Sequence, residues 1–421
     1  MGQERFKSRI SRRDFFKLSG LGAAGLAMVA MPRWVRAAST LIKDFPKILI
    51  VLFQRGAADG LNMVAPFNDR YYHQSRPTIA LNAPGRDKGV LDLDGRFGLH
   101  PALSSLMPMW KNGSFAVIHA AGSPDGSRSH FEAQDNMETG TPGVKITPDG
   151  WLNRTLGDSF PKARSPLTAV AISPRLPRIL RGDYPVTSFP NLNAYRFSGG
   201  DTQASSFDQL YEGSIDRLLA GVGRETEESV NTLQKIIGNG PKNPEDAGFP
   251  KSAVGRSFFE LSRVIKANVG LRIGFLDIGG WDHHANEGST DGQLNGHLKE
   301  LGDAIAAFYQ TMGDQAGDIL LVTMTEFGRT MQENGDRGTD HGHGSVMMLF
   351  GGKVKGGKVY GTWPGLAPEQ LFEGRDLQVT TDFRQVHTEI LAGHLGMTVP
   401  PNVFPGFTPG APLGFLAAEG V

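Results

Sequence analysis

Seven consecutive residues, Lys47–Phe53 (KILIVLF), carry no polar side chain after the first. A strand that is apolar on both faces needs cover on both, which places it inside a parallel sheet flanked by helices. Ile319–Met324 and Val346–Phe350 are runs of the same kind, and Phe115–His119, Leu167–Ile172 and Arg272–Ile278 read as further strands. Between them lie helical patterns. Pro101–Trp110 has Pro at its start. Leu294, Leu298, Leu301, Ile305, Phe308 and Met312 form an apolar stripe with alternating four- and three-residue spacing. Strand, helix, strand is the order of a βαβ unit, so the fold class is α/β with a central, mostly parallel sheet. Ser205–Ile237 and Ser252–Ala267 read as two helices within a helical insertion at about residues 200–268. The Pro-rich stretch from Pro400 to Pro412 reads as a surface wrap.

The chain has 421 residues and no cysteine. That excludes a disulfide scaffold, a thiolate zinc site, an iron–sulfur cluster and a cysteine nucleophile. Ser11-Arg12-Arg13-Asp14-Phe15-Phe16-Lys17 resembles the twin-arginine export motif. A short apolar stretch from Leu18 to Met31 follows, then Pro32 and the small-residue site Val35-Arg36-Ala37. Residues 1–37 are therefore expected to be a signal peptide, handled by the twin-arginine export machinery and cut after Ala37, with 38–421 as one exported, periplasmic domain without a transmembrane anchor. The leader holds eight basic and two acidic residues, so the remainder is net acidic. Nucleic acid is not expected as a partner, because phosphate neutralisation needs surplus Lys and Arg.

The polar residues that could carry chemistry stand at strand ends, where open α/β sheets place their sites. Asp59 follows the first strand in a glycine-rich loop; a metal carboxylate ligand and an Asp-Gly turn are both open readings. Asp282 and His284, two apart after Arg272–Ile278, would point to one side of an extended segment. Glu326 directly follows a buried strand. Asp340, His341 and His343 lie in a glycine-flanked string, Gly338–Gly344, and the two histidines would share a face if extended. Oxygen and imidazole donors of this kind suit one or two divalent ions such as Zn, Mn or Ca. Ser129, or Ser127 before it, stands at a helix start and could be a nucleophile. Ser129 could equally be a helix cap, with Glu132 completing a capping box. His130, His283, Arg128 and Arg329 are available to support ligands or anchor an anion.

Gly56–Asn62, Ser127–Asp135, Gly280–Asn286, Thr325–Arg329 and Gly338–Gly344 together resemble the DUF1501 family, a bacterial group of unknown function that is mostly twin-arginine exported. That family is similar in turn to the alkaline phosphatase-like superfamily. The resemblance implies a three-layer sandwich whose loops hold two metals, with the ligand order Asp59, Ser129 or Ser127, Asp282 with His284, Glu326, then His341. The superfamily's Asp-His after the strand is Glu326-Phe327 here, leaving His343 as a possible substitute ligand. The implied function is an exported metal-dependent hydrolase of phosphate or sulfate esters, acting on a small anionic ester or a sugar-linked substrate. The alternative is a non-catalytic periplasmic binding or assembly protein on a degenerate version of the same fold.

Overall fold

Along β1 (Ile48–Gln54) successive side chains enter opposite cores: Ile48, Ile50 and Leu52 on one face, Leu49, Val51 and Phe53 on the other. All six are at most 2% exposed in the computed structural model, which describes residues 46–159, 167–192, 232 and 241–417. The continuous apolar run thus means burial on both sides. The remaining strands discussed are β2 (Phe115–Gly122), β3 (Ala169–Ile172), β4 (Thr187–Phe189), β5 (Ile273–Ile278), β6 (Ile319–Met324), β7 (Arg329–Glu333), β8 (Thr339–His341), β9 (Ser345–Gly351), β10 (Lys358–Tyr360) and β11 (Thr381–Asp382). Among the described residues a nine-stranded sheet has the order β10-β2-β9-β6-β1-β5-β3-β4, with β11 also pairing with β2. β7 and β8 form a separate antiparallel hairpin.

One face is covered by α3 (Ala253–Lys266), α4 (Gly292–Met312) and the turn of helix at Pro101–Lys111. The other is covered by α1 (His130–Thr139), α2 (Trp151–Ser159) and α5 (Phe383–Gly393). The six apolar residues expected as a stripe on α4 are all at most 3% exposed. Each such burial contributes about 1.5–3 kcal/mol. The expected helix at Pro101–Trp110 is instead a 3-10 segment to Leu106, with a break at Leu103, followed by an α-helical turn. Of the expected helical insertion, Ser205–Ile237 falls outside the described residues apart from Thr232. The second helix, α3, packs on β5 and β3 in the same layer as α4. The expected surface wrap from Pro400 is pinned by Val403 and Phe404, which enter the core. The expected signal peptide, 1–37, lies outside the described residues. No helix among the described residues is long and apolar enough to cross a membrane.

The direction of one strand positions the site. β1, β5 and β6 run parallel to one another, while β9 runs antiparallel to both β6 and β2. β2 therefore runs the same way as β6. The segments leaving β1, β2, β5 and β6 and the segment entering β9 all meet at one edge of the sheet.

Candidate metal centre

At that edge, His130, Asp282 and His341 each bring a ligand atom within 4.8 Å of the other two. His130 is the first residue of α1 after β2, Asp282 follows β5, and His341 ends β8. His284 joins them. Its Nε2 lies 3.0 Å from Asp282 Oδ1 and 2.9 Å from His341 Nε2. His341 Nε2 lies 3.4 Å from Asp282 Oδ1, and His130 Nε2 lies 3.4 Å from Asp282 Oδ2. Donors at ~2.0–2.1 Å from a tetrahedral ion are spaced about 3.3 Å apart; the four separations above are near that value, while His284 stands outside the group whose atoms all lie within 4.8 Å of one another.

The other ring nitrogens fix the tautomers. His341 Nδ1 is 2.8 Å from the Arg128 carbonyl, which can only accept. His130 Nδ1 is 2.8 Å from Glu326 Oε1, and His284 Nδ1 is 3.1 Å from Asp340 Oδ1. Each Nδ1 therefore donates, so each ring, when neutral, turns an Nε2 lone pair toward the carboxylate. His130 Nε2 is buried and has no hydrogen-bond partner among the described residues. Lone pairs facing lone pairs repel unless a cation or protons come between them, and a backbone or carboxylate acceptor behind each imidazole is the usual support of a metal-bound histidine.

Two close approaches make the cluster possible. A Cβ on Gly56, whose φ is +117°, would lie 2.6 Å from the Asp282 nitrogen. One on Gly338 would lie 2.3 Å from the His284 carbonyl. Only glycine lets these loops touch.

The expected ligands divide into three groups. Asp282, His284 and His341 are brought together. Glu326 and Asp340 stand one bond further out, behind His130 and His284. Glu326 is 1% exposed, and its Oε1 accepts from the Gly56 N–H, His130 Nδ1 and Gln134 Nε2 at 2.8–2.9 Å. Burial alone would raise its pKa, but the His130 and Gln134 hydrogen bonds hold it below the ordinary value. The same Glu326 bond raises the pKa of His130. Asp59 and His343 are not brought to the group. Both Asp59 oxygens are held by Arg76, itself fully buried and bonded to the Met331 and Thr330 carbonyls. His343 stacks on Phe372 at 4.1 Å, and burial pushes its pKa down to about 4. The expected shared face of His341 and His343 is lost because β8 ends at His341.

Asp282 is open to ligands. Partial burial would raise its pKa, but the Arg329 hydrogen bond and charge outweigh this and hold it low. The expected capping box is re-wired: Ser129 caps α1 with no side-chain bond, and Glu132 accepts instead from the Ser127 hydroxyl at 3.0 Å. Ser129 is exposed and directly precedes His130. His130, expected only to support ligands or anchor an anion, instead offers its Nε2 to the group; its place at the first turn of the helix after β2 is the signal the sequence carries.

A layered α/β protein carrying a histidine–carboxylate cluster on one sheet edge is the class this fold and site define. The chain belongs to the family described as "Protein of unknown function (DUF1501)", whose model matches residues 114–404. No curated protein matches it significantly. Among solved structures it is similar to an alkaline phosphatase superfamily protein from Vibrio parahaemolyticus (11% identity, 74% of this chain and 61% of that one, TM-score 0.33). It is also similar to the lipoteichoic acid synthase LtaP from Listeria monocytogenes (10%, 72% and 65%, TM-score 0.33) and to the sulfatase PsFucS1 from Pseudoalteromonas sp. (12%, 89% and 73%, TM-score 0.41). The chain thus spans less than two thirds of the length of the first two.

Proposed function

We propose that the chain is an exported, metal-dependent hydrolase of phosphate or sulfate esters. The observation that carries this reading is the cluster formed by the His130, His341 and Asp282 ligand atoms, with His284 Nε2 set against the last two. His130, His284, His341 and Asp282 would hold the ion. When bound, a divalent ion supplies Lewis acidity, polarising an ester oxygen and favouring an anionic nucleophile. Glu326, Asp340 and the Arg128 carbonyl keep the three rings in the donating tautomer. Arg375 Nη2 donates to the His341 carbonyl at 2.6 Å and anchors that loop. Ser129 is the hydroxyl available as nucleophile, since that of Ser127 is committed to Glu132.

Elemental analysis of purified protein, with turnover assays on phosphomonoester, phosphodiester and sulfate ester panels, tests the reading. Bound Zn or Mn and metal-dependent turnover that His341→Ala abolishes are expected; folded, metal-free protein that takes up no ion would end it. Turnover retained by Ser129→Ala would move the nucleophile to solvent. The export half of the proposal rests on Ser11–Lys17, and Arg12→Lys with Arg13→Lys should trap the chain in the cytoplasm on cell fractionation.

Non-catalytic binding is the second reading. It is favoured by the locking of Asp59 into an internal ion pair, which removes one expected ligand. Ion binding and chelator-sensitive stability without turnover on the whole panel would select it.

A further inference from the structure

Arg329 is 1% exposed, yet its guanidinium is ringed by oxygen. Nε donates to the Ala57 carbonyl at 2.7 Å and Nη1 to that of Thr339 at 3.0 Å. Nη2 reaches the carbonyls of Gly56 at 2.5 Å and Trp281 at 3.1 Å, and Asp282 Oδ1 at 2.5 Å. Four backbone carbonyls from three separate segments and a carboxylate form the kind of oxygen shell that hard cations take. A guanidinium carries a permanent positive charge in a planar fork and cannot leave. Asp282 therefore bridges two places: one oxygen faces the guanidinium, and both border the imidazole cluster.

We propose that Arg329 is a built-in second cation, so that the centre takes one divalent ion and not two. The inference rests on the metal-binding reading above and specifies its stoichiometry. Glu326, which could have supplied oxygen to a second ion, is 1% exposed, with three donors on Oε1 and the Thr325 hydroxyl 3.1 Å from Oε2. Asp59, the other candidate, is closed by Arg76. The positive charge beside Asp282 also opposes the incoming ion, so affinity is held below what the four ligands alone would give.

The test is calorimetric titration of chelator-stripped full-length protein with Zn and with Mn, paired with elemental analysis after gel filtration. One equivalent per chain, lost in His341→Ala, is expected. Two tight equivalents in the wild-type chain would overturn the inference while leaving the metal reading intact. One equivalent that survives His341→Ala places the ion elsewhere and overturns it too. No binding at all would sink the metal reading and the inference together. Arg329→Met removes the charge, and, where circular dichroism shows it folded, it should bind the first ion roughly tenfold tighter or accept a second. Unchanged or weaker binding in that variant would assign Arg329 a purely structural role. Arg329→Lys keeps the charge and should stay at one equivalent, so a second equivalent there overturns the inference even if Arg329→Met fails to fold.

Discussion

Two carboxylate–guanidinium pairs flank the centre, and they differ in one respect. In Asp59–Arg76 both side chains are sealed, at 1% and 0% exposure; in Asp282–Arg329 the arginine is sealed at 1%, but the aspartate is 44% exposed. In the first pair Arg76 takes both carboxylate oxygens and the Leu61 N–H adds to one of them. Both arginines also bond backbone carbonyls, but the second pair leaves its aspartate facing three imidazoles. The same two residue types therefore make an internal strut in one place and an open ligand in the other, and burial of the carboxylate decides which.

The largest effect should come from breaking the sealed pair. Arg76→Met leaves a buried carboxylate uncompensated and should cost about 3–5 kcal/mol in urea denaturation, with the ion affinity of whatever remains folded little changed. Next, His130→Ala on the open side should lower Zn affinity at least about a hundredfold by titration, while the metal-free melting temperature moves little. If the two sides exchanged these phenotypes, the comparison would be wrong. A smaller loss, roughly 10–100-fold in metal affinity, is expected for Glu326→Gln, which spoils the support of His130 without removing a ligand.

The smallest effect separates the two sides by pH. Glu287 is buried beside Asp59, accepts from the Thr339 hydroxyl at 2.6 Å, and has its pKa pushed well above the ordinary value by burial and by the Asp59 charge. Folded protein keeps this proton where the unfolded chain has lost it. The stabilisation is thus complete below the ordinary Glu pKa and lost as pH rises toward the folded value. Asp59 has the opposite sign: burial is outweighed by Arg76, its pKa is lowered, and its contribution fades as pH falls. Glu287→Gln should flatten only the decline of stability that sets in as pH rises above the ordinary Glu pKa, as read from urea midpoints across pH.

The long strands were legible because double-sided burial leaves an unbroken apolar run, as at Lys47–Phe53 and Ile319–Met324. The edge strands β4, β10 and β11, two or three residues each, carry too little pattern to be read. Asp282, His284 and His341 were legible from their positions at strand ends. Asp59 was misplaced because its partner Arg76 lies 17 residues on, in a region whose folding back no local pattern announces. His343 was misplaced because alternation holds only while the chain stays extended, and β8 stops at His341. Arg329 was available as an anion anchor, but its oxygen shell comes from backbone groups, which sequence patterning does not reveal.

The reversed strand also bears on the order in which the molecule can be assembled. β2 is made early, yet its neighbours in the sheet are β9, β10 and β11, all of them beyond residue 344. A chain emerging from the ribosome holds β2 as an unpaired apolar segment for more than half its length, a state that invites aggregation. The His341 segment and the strand that closes this gap are consecutive, so the chain gains its last central strand and its final imidazole almost together.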